Sequence, residues 1–221
     1  MARRSKRTQQ RIRNYCIAVL AIALVTFGLL GLYDYYKTTQ QPDPGISNDT
    51  VTHSTDTPDE TPPKKACKSY KVPDDEPRKI TIPSIDVSGC VQKVDVDQNN
   101  AIAVPTNIHL AGWFSGSELP GKIGASIIDG HVSGRYQKGI FENLKKLSKN
   151  DDITIERGDN SKLTFSVDSV ASYPADKTMQ NVYAHTDSNK SKLILITCGG
   201  KFNTKDKTYA DRVVVVASLQ Q

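Results

Sequence analysis

The sequence holds no glycine-rich phosphate loop and no His, Cys, Asp and Glu set at metal-ligand spacing. Local signatures of nucleotide and metal chemistry are therefore missing, and neither cofactor nor metal is expected. There is no internal repeat and no long amphipathic helix, which argues against solenoids and helical bundles. Acidic residues are absent from residues 1–15, a segment that carries Arg3, Arg4, Lys6, Arg7, Arg11 and Arg13. The formal net charge of +5 comes from 29 basic and 24 acidic residues. Beyond residue 15 the chain has 23 basic residues against those 24 acids. Nowhere does a basic stripe alternate with aromatics, so a nucleic-acid partner is not expected.

After the basic tail, residues 16–32 form an apolar run broken only by Thr26 and small glycines, followed at once by Tyr33, Tyr35 and Tyr36. This is the lower end of what spans a bilayer, with an aromatic belt at its outer edge. No small-x-small cleavage site follows, so an uncleaved anchor is favoured over a signal peptide. The positive-inside rule places residues 1–15 in the cytoplasm and the rest outside. The expected organisation is a basic cytoplasmic tail over 1–15, a transmembrane signal-anchor helix over 16–36, a disordered extracellular stalk over 37–77 and a folded domain over 78–221. The stalk is rich in Thr, Pro, Asp, Ser and Lys and nearly free of large apolar residues, so it cannot bury a core.

Within the domain, short apolar or alternating runs recur with turn residues between them. They cover 80–87, 91–96, 101–104, 111–114, 125–132, 151–156, 163–171, 193–197 and 213–217. Phe141, Leu144 and Leu147 suggest one short helix. Val213 to Ala217 are β-branched or small throughout, as in a strand buried on both faces. The pattern implies an all-β barrel or sandwich.

Only four cysteines are present. Cys16 sits at the membrane edge. Cys67 and Cys90 lie outside, where a disulfide could form, or they could remain two free thiols. Cys198 ends the run Leu193-Ile194-Leu195-Ile196-Thr197 and precedes Gly199-Gly200. Two readings are open. It is a buried structural cysteine, or it is a nucleophile held at a strand end beside a glycine-lined space. A nucleophile needs a base and a group that stabilises negative charge. His131 ends the strand Ile128-Asp129-Gly130-His131, although His109 and His185 also lie in the domain, and Arg212 opens the last strand. One barrel mouth could hold all three.

Thr197-Cys198, Gly130-His131 and an Arg entering the last strand, in this order and behind an N-terminal anchor, resemble the sortases. These are membrane-anchored cysteine transpeptidases of Gram-positive-type cell envelopes. The resemblance covers about residues 79–219. Gly112-Trp113-Phe114, Pro120-Gly121, Gly139-Ile140-Phe141 and Thr197-Cys198-Gly199-Gly200 with Phe202 and Tyr209 are most similar to class F or class E members.

The resemblance implies a closed barrel of about eight strands with short helices. It carries the catalytic roles onto Cys198 as nucleophile, His131 as general acid and base, and Arg212 as stabiliser of the oxyanion or substrate. It implies cleavage of a C-terminal Leu-Pro-x-Thr-Gly-like sorting signal between Thr and Gly through a thioacyl-enzyme. The partners would be surface proteins bearing that signal, and an amine from a peptidoglycan precursor or a pilin lysine. In class F relatives the Arg aligns with Ala210, so Arg212 stands two positions late, on the same strand face. The polar segment 172–192 corresponds to a substrate-shaping loop, which makes Val182 and Tyr183 candidate contacts, with Met179 beside them. Thr197 is a candidate oxyanion or substrate contact. Asp43-Pro44-Gly45 lacks the Asp-Pro-aromatic lid of pilus-building members, which leans toward anchoring single proteins. The alternatives are a hydrolytic cysteine peptidase of the same fold and a non-catalytic membrane-tethered binding module.

Overall fold

The computed structural model describes residues 67, 70–97, 100–184, 189–205 and 208–220. The basic tail, the membrane segment 16–36, the Asp43-Pro44 position, most of the stalk and His185 lie outside the described residues. Among the described residues no helix is long and apolar enough to cross a membrane.

Eight strands make up the domain: β1 (Pro77–Ile82), β2 (Val87–Val94), β3 (Ala111–Phe114), β4 (Gly124–Gly130), β5 (Asp152–Arg157), β6 (Lys162–Pro174), β7 (Ser191–Asn203) and β8 (Thr208–Leu219). They close into a barrel in the order β1-β2-β3-β4-β7-β8-β6-β5. The pairs β2–β3 and β4–β7 are parallel, and the other pairs are antiparallel. The β1–β5 pairing completes the ring, and there Arg78, 7 % exposed, donates Nη2 hydrogen bonds to Glu156 and Asn160, both at 2.6 Å.

Alternation along the strands sorts the apolar residues into two layers. One contains Ile80, Ile82, Trp113, Ile128, Ile153, Ile155, Phe165, Leu193, Leu195, Val213 and Val215. An eight-strand barrel is just wide enough for such side chains to fill it. The residues between them on β4, β7 and β8 (Ala125, Ile127, Ile194, Ile196, Val214, Val216) form a second cluster on the outer surface. A short helix, α1 (Thr178–Tyr183), covers that cluster with Val182 and Met179. This two-sided burial explains why β7 and β8 read as unbroken apolar runs rather than alternating ones.

Three local features differ from the sequence reading. Phe141, Leu144 and Leu147 are buried as their spacing suggests, but only Leu144–Lys146 is helical and it is a 3-10 turn. A strict spacing of three matches the 3-10 period better than the α period. Residues 101–104 contribute one bridge, Ile102 with Val96, instead of a strand. The Ala101 amide is diverted to Asp97 Oδ1. Strand β7 does not stop at Gly199-Gly200. It runs on to Asn203 with a bulge between Gly199 and Phe202, and Gly200 takes φ +72°, a value L-residues rarely adopt.

The folded part also begins before residue 78. Cys67 is bonded to Cys90 with a Cα–Cα distance of 5.2 Å. Buried Tyr70 packs with both cysteines and Leu110. The carbonyls of Asp74 and Glu76 accept hydrogen bonds from Asp159 and Gly158. The disulfide and Tyr70 dock a segment whose composition alone does not hold it down.

Candidate active site

β4 and β7 run parallel, with Asp129 beside Ile196. Continuing that register by two residues sets His131 alongside Cys198. β7 and β8 run antiparallel, with Cys198 directly paired to Arg212. Imidazole, thiol and guanidinium therefore stand in one row across three adjacent strands, on the face that carries Ile194, Ile196 and Val214. All three line one cavity of about 370 Å³ together with Ile102, Phe114, Met179, Tyr183 and Thr197. The site lies on the outer surface of the barrel wall, roofed in part by α1, and not inside the barrel mouth.

Cys198 is half-buried, and among the described residues it is the cysteine left free by the disulfide. Burial pushes its thiol up from the ordinary range, the Arg212 guanidinium pulls it down, and Asp129 pushes it up. Arg212 is positioned by its own backbone, with Nη1 donating to the carbonyls of Tyr209 and Asp211, both at 3.0 Å. His131 Nε2 lies 3.3 Å from the Pro105 carbonyl oxygen. A carbonyl only accepts, so this contact puts the proton on Nε2 and leaves Nδ1 as the basic nitrogen of the neutral ring. The His131 carbonyl accepts from the Phe141 amide at 2.9 Å. Ser133, two residues on, bonds the Tyr209 hydroxyl at 2.7 Å, and Tyr209 meets Phe202 edge-on at 5.0 Å. The loop after β4 is thus tied to the β7–β8 hairpin.

The other sequence candidates separate. Thr197 is 4 % exposed, and its hydroxyl donates to the Gly130 carbonyl at 2.6 Å. With its proton committed there, it cannot also donate to an oxyanion. Val182 is fully buried in the outer cluster, so it does not present itself to a ligand. On α1, Thr178 and Val182 share the buried face, whereas Met179 and Tyr183 occur one residue later and line the cavity. Consecutive helical residues diverge, so Val182 and Tyr183 cannot serve one pocket together. His109 lies in a different recess with Ile85, Ser88 and Glu142. Among the described residues no acid, His or Cys group could hold a metal ion.

Two neighbours of the site carry no signal in the sequence reading. Pro105 acts only through its carbonyl. Asp129 was part of an apolar strand. Its one distinguishing mark is that an acid interrupts Ile127-Ile128 and Gly130.

The fold and site define a closed β-barrel protein with a cavity-lining thiol between an imidazole and a guanidinium. The family model described as "Sortase domain" matches residues 80–220. The chain belongs to the sortase family, whose members are cysteine transpeptidases. Among solved structures it is similar to a lid mutant of sortase A from Corynebacterium diphtheriae. That match is 25 % identical, covers 66 % of this chain and 70 % of the other, and has a TM-score of 0.52. Sortase A from the same organism matches at 20 % identity over 87 % and 82 % of the two chains, with a TM-score of 0.52. The lid mutant of Streptococcus agalactiae sortase C1 matches at 17 % identity over 70 % and 73 %, with a TM-score of 0.51. No curated protein matches the sequence.

Proposed function

We propose that this chain cleaves a C-terminal Leu-Pro-x-Thr-Gly-like signal between Thr and Gly and joins the new carboxyl end to an amine. The Cys198 thiolate adds to the Thr carbonyl carbon. The tetrahedral intermediate collapses with a new C–S bond and a broken C–N bond, while His131, in its imidazolium form, gives its second proton to the leaving Gly amine. The thioacyl-enzyme then takes an amine nucleophile, His131 removes the proton that this amine loses, and the C–S bond breaks to release the Cys198 thiolate beside the imidazolium. The Arg212 guanidinium, always charged, hydrogen-bonds the developing oxyanion. The observation that carries this reading is the pairing of Cys198 with Arg212 in a row that His131 extends, beside one cavity.

The apolar run 16–32 with its basic flank supports a single-pass anchor that keeps this site on the outer face of a cell membrane. The acceptor is then an amine of a peptidoglycan precursor or a pilin lysine. Gly112-Trp113-Phe114 and the Gly199-Gly200 pair support a place near classes F and E.

The test incubates the full chain in detergent with a signal peptide, with and without an added amine, and reads products by mass spectrometry. A thioacyl adduct on Cys198, and amide product only when amine is present, are expected. Hydrolysis alone, even at high amine, would make the protein a peptidase of the same fold. Unchanged cleavage by Cys198→Ala would overturn the reading.

A further inference from the structure

Among the side chains that line the cavity beside Cys198 is one acid that the proposed reaction does not use. Asp129 precedes His131 by two residues on β4 and lines the same cavity. Its Oδ1 is buried without any hydrogen-bond partner, and no ion pair reaches it among the described residues. The site is built around it. Its cross-strand neighbour is Gly112, where a Cβ would overlap Asp129 Oδ1, with Pro105 and Val94 closing in behind. An acid placed where an alanine or valine would satisfy the strand, opposite a glycine that makes room for it, is costly unless something compensates. Apolar side chains of the same cavity lining include Ile102, Val104, Phe114, Met179 and Ile196. Burial pushes the carboxyl well above its usual range and so favours its neutral form, which both donates and accepts a hydrogen bond.

We propose that Asp129 is a specificity-determining residue that receives a neutral hydrogen-bonding side chain, a hydroxyl or an amide, from the substrate peptide. This rests on the reading of Cys198 as a nucleophile toward a sorting-type peptide. It changes the substrate that reading implies, because one position upstream of the scissile bond then carries Ser, Thr, Asn or Gln instead of an aliphatic residue. The place follows from strand geometry. Asp129 stands one side-chain row, about 7 Å, from the row of His131 and Cys198, a span that an extended peptide covers in about two residues. The neutral class follows from the surroundings. A Lys or Arg would ionise the acid in a largely apolar space, where desolvation offsets much of the attraction. An aliphatic side chain would seal the carboxyl away from water and leave it unpaired, and sites built to hydrogen-bond a substrate reject such analogues strongly.

The experiment is a positional scan of the three residues before Thr in a Leu-Pro-x-Thr-Gly frame, cleaved by full-length wild type, Asp129→Asn and Asp129→Ala. At one position the wild type is expected to favour Ser, Thr, Asn or Gln over Val or Leu by about tenfold or more in kcat/KM. D129N keeps that preference, because an amide also donates and accepts, and D129A loses or reverses it. D129A is expected to melt no lower than wild type, since an unpaired buried group has been relieved. A wild-type profile with no polar preference, or one favouring Lys or Arg, would overturn the proposal without reference to any variant. So would an identical profile in D129A. Cleavage of no peptide and no adduct on Cys198 in the wild type would instead sink the parent reading, and this one with it.

Discussion

The Thr197 hydroxyl donates to the Gly130 carbonyl oxygen at 2.6 Å, so one side-chain bond joins β7 and β4 immediately before Cys198 and His131. The two strands are parallel, and their backbone pairing ends at Asp129 and Ile196. The Thr197 bond extends their alignment to the reacting groups. Thr197→Val keeps the shape and removes the donor, which leaves a buried carbonyl unpaired at a loss of about 1–3 kcal/mol. Loosening the thiol–imidazole spacing is expected to lower kcat about ten- to a hundredfold with little change in KM. Thr197→Ser should restore most of both. Thermal melting and steady-state cleavage decide it, and a large KM effect with unchanged kcat would mean that Thr197 touches substrate directly.

Arg212 is the cross-strand partner of Cys198 and lowers a thiol that burial otherwise raises. Replacing it by Ala removes the lowering influence alone, so the folded-state thiol moves further up and less thiolate exists at any given pH. Iodoacetamide should alkylate Cys198 in R212A more slowly than in wild type between pH 7 and 9, with the midpoint of the pH profile displaced upward. Arg212→Lys keeps a charge and should hold the midpoint near that of wild type. It nevertheless loses the planar fork that binds an oxyanion in two places, so its kcat falls. A midpoint in R212A equal to or below wild type would contradict this account.

Much of this was legible in the chain. The branched runs at 193–197 and 213–217 announce buried strands, and the thiol, imidazole and guanidinium each adjoin the end of an apolar run, although Cys198 and Arg212 lie within the longer β7 and β8. What was hidden depends on pairing between distant segments. Arg212 looked two residues late, yet the β7–β8 register, shifted by one residue at the bulge between Gly199 and Phe202, sets Arg212 directly opposite Cys198. Nothing local encodes that offset. α1 has six residues, too few for a periodic pattern to emerge. Asp129 sat unremarked within an apolar strand, because its meaning comes from Gly112 on the neighbouring strand.

The Cys67–Cys90 bond spans 23 residues and encloses β1, the strand that closes the barrel against β5. Constraining a loop of that size contributes about 3 kcal/mol in the chain-entropy picture. Cys90→Ser, or dithiothreitol in the wild type, is expected to lower Tm by roughly 10 °C for a domain of this size. The bond packs with Tyr70 and Leu110, separate from the cluster under Cys198. The alkylation rate of Cys198 below the transition should therefore not change. An unaltered Tm would show that the docked segment adds nothing to barrel stability.

Val182 and Tyr183 are neighbours in sequence with opposite surroundings. Val182 is fully buried against the outer faces of β4, β7 and β8, whereas Tyr183 is 59 % exposed and lines the cavity. Val182→Ala removes two buried methyl groups beneath α1 and is expected to lose about 2 kcal/mol, with faster amide exchange confined first to the helix. Tyr183→Ala deletes no core contact, so stability should stay within about 0.5 kcal/mol of wild type. Its effect belongs to binding, a raised KM for the signal peptide at near-constant kcat. Because α1 roofs the cavity through Met179 and Tyr183 while Val182 anchors it, V182A should also weaken binding, but only in proportion to the helix it loosens. Lowering the temperature should restore V182A and leave Y183A impaired. If instead V182A changed peptide preference at full stability, the side chain would have to reach the substrate directly, and the placement of Val182 as an anchor would fail.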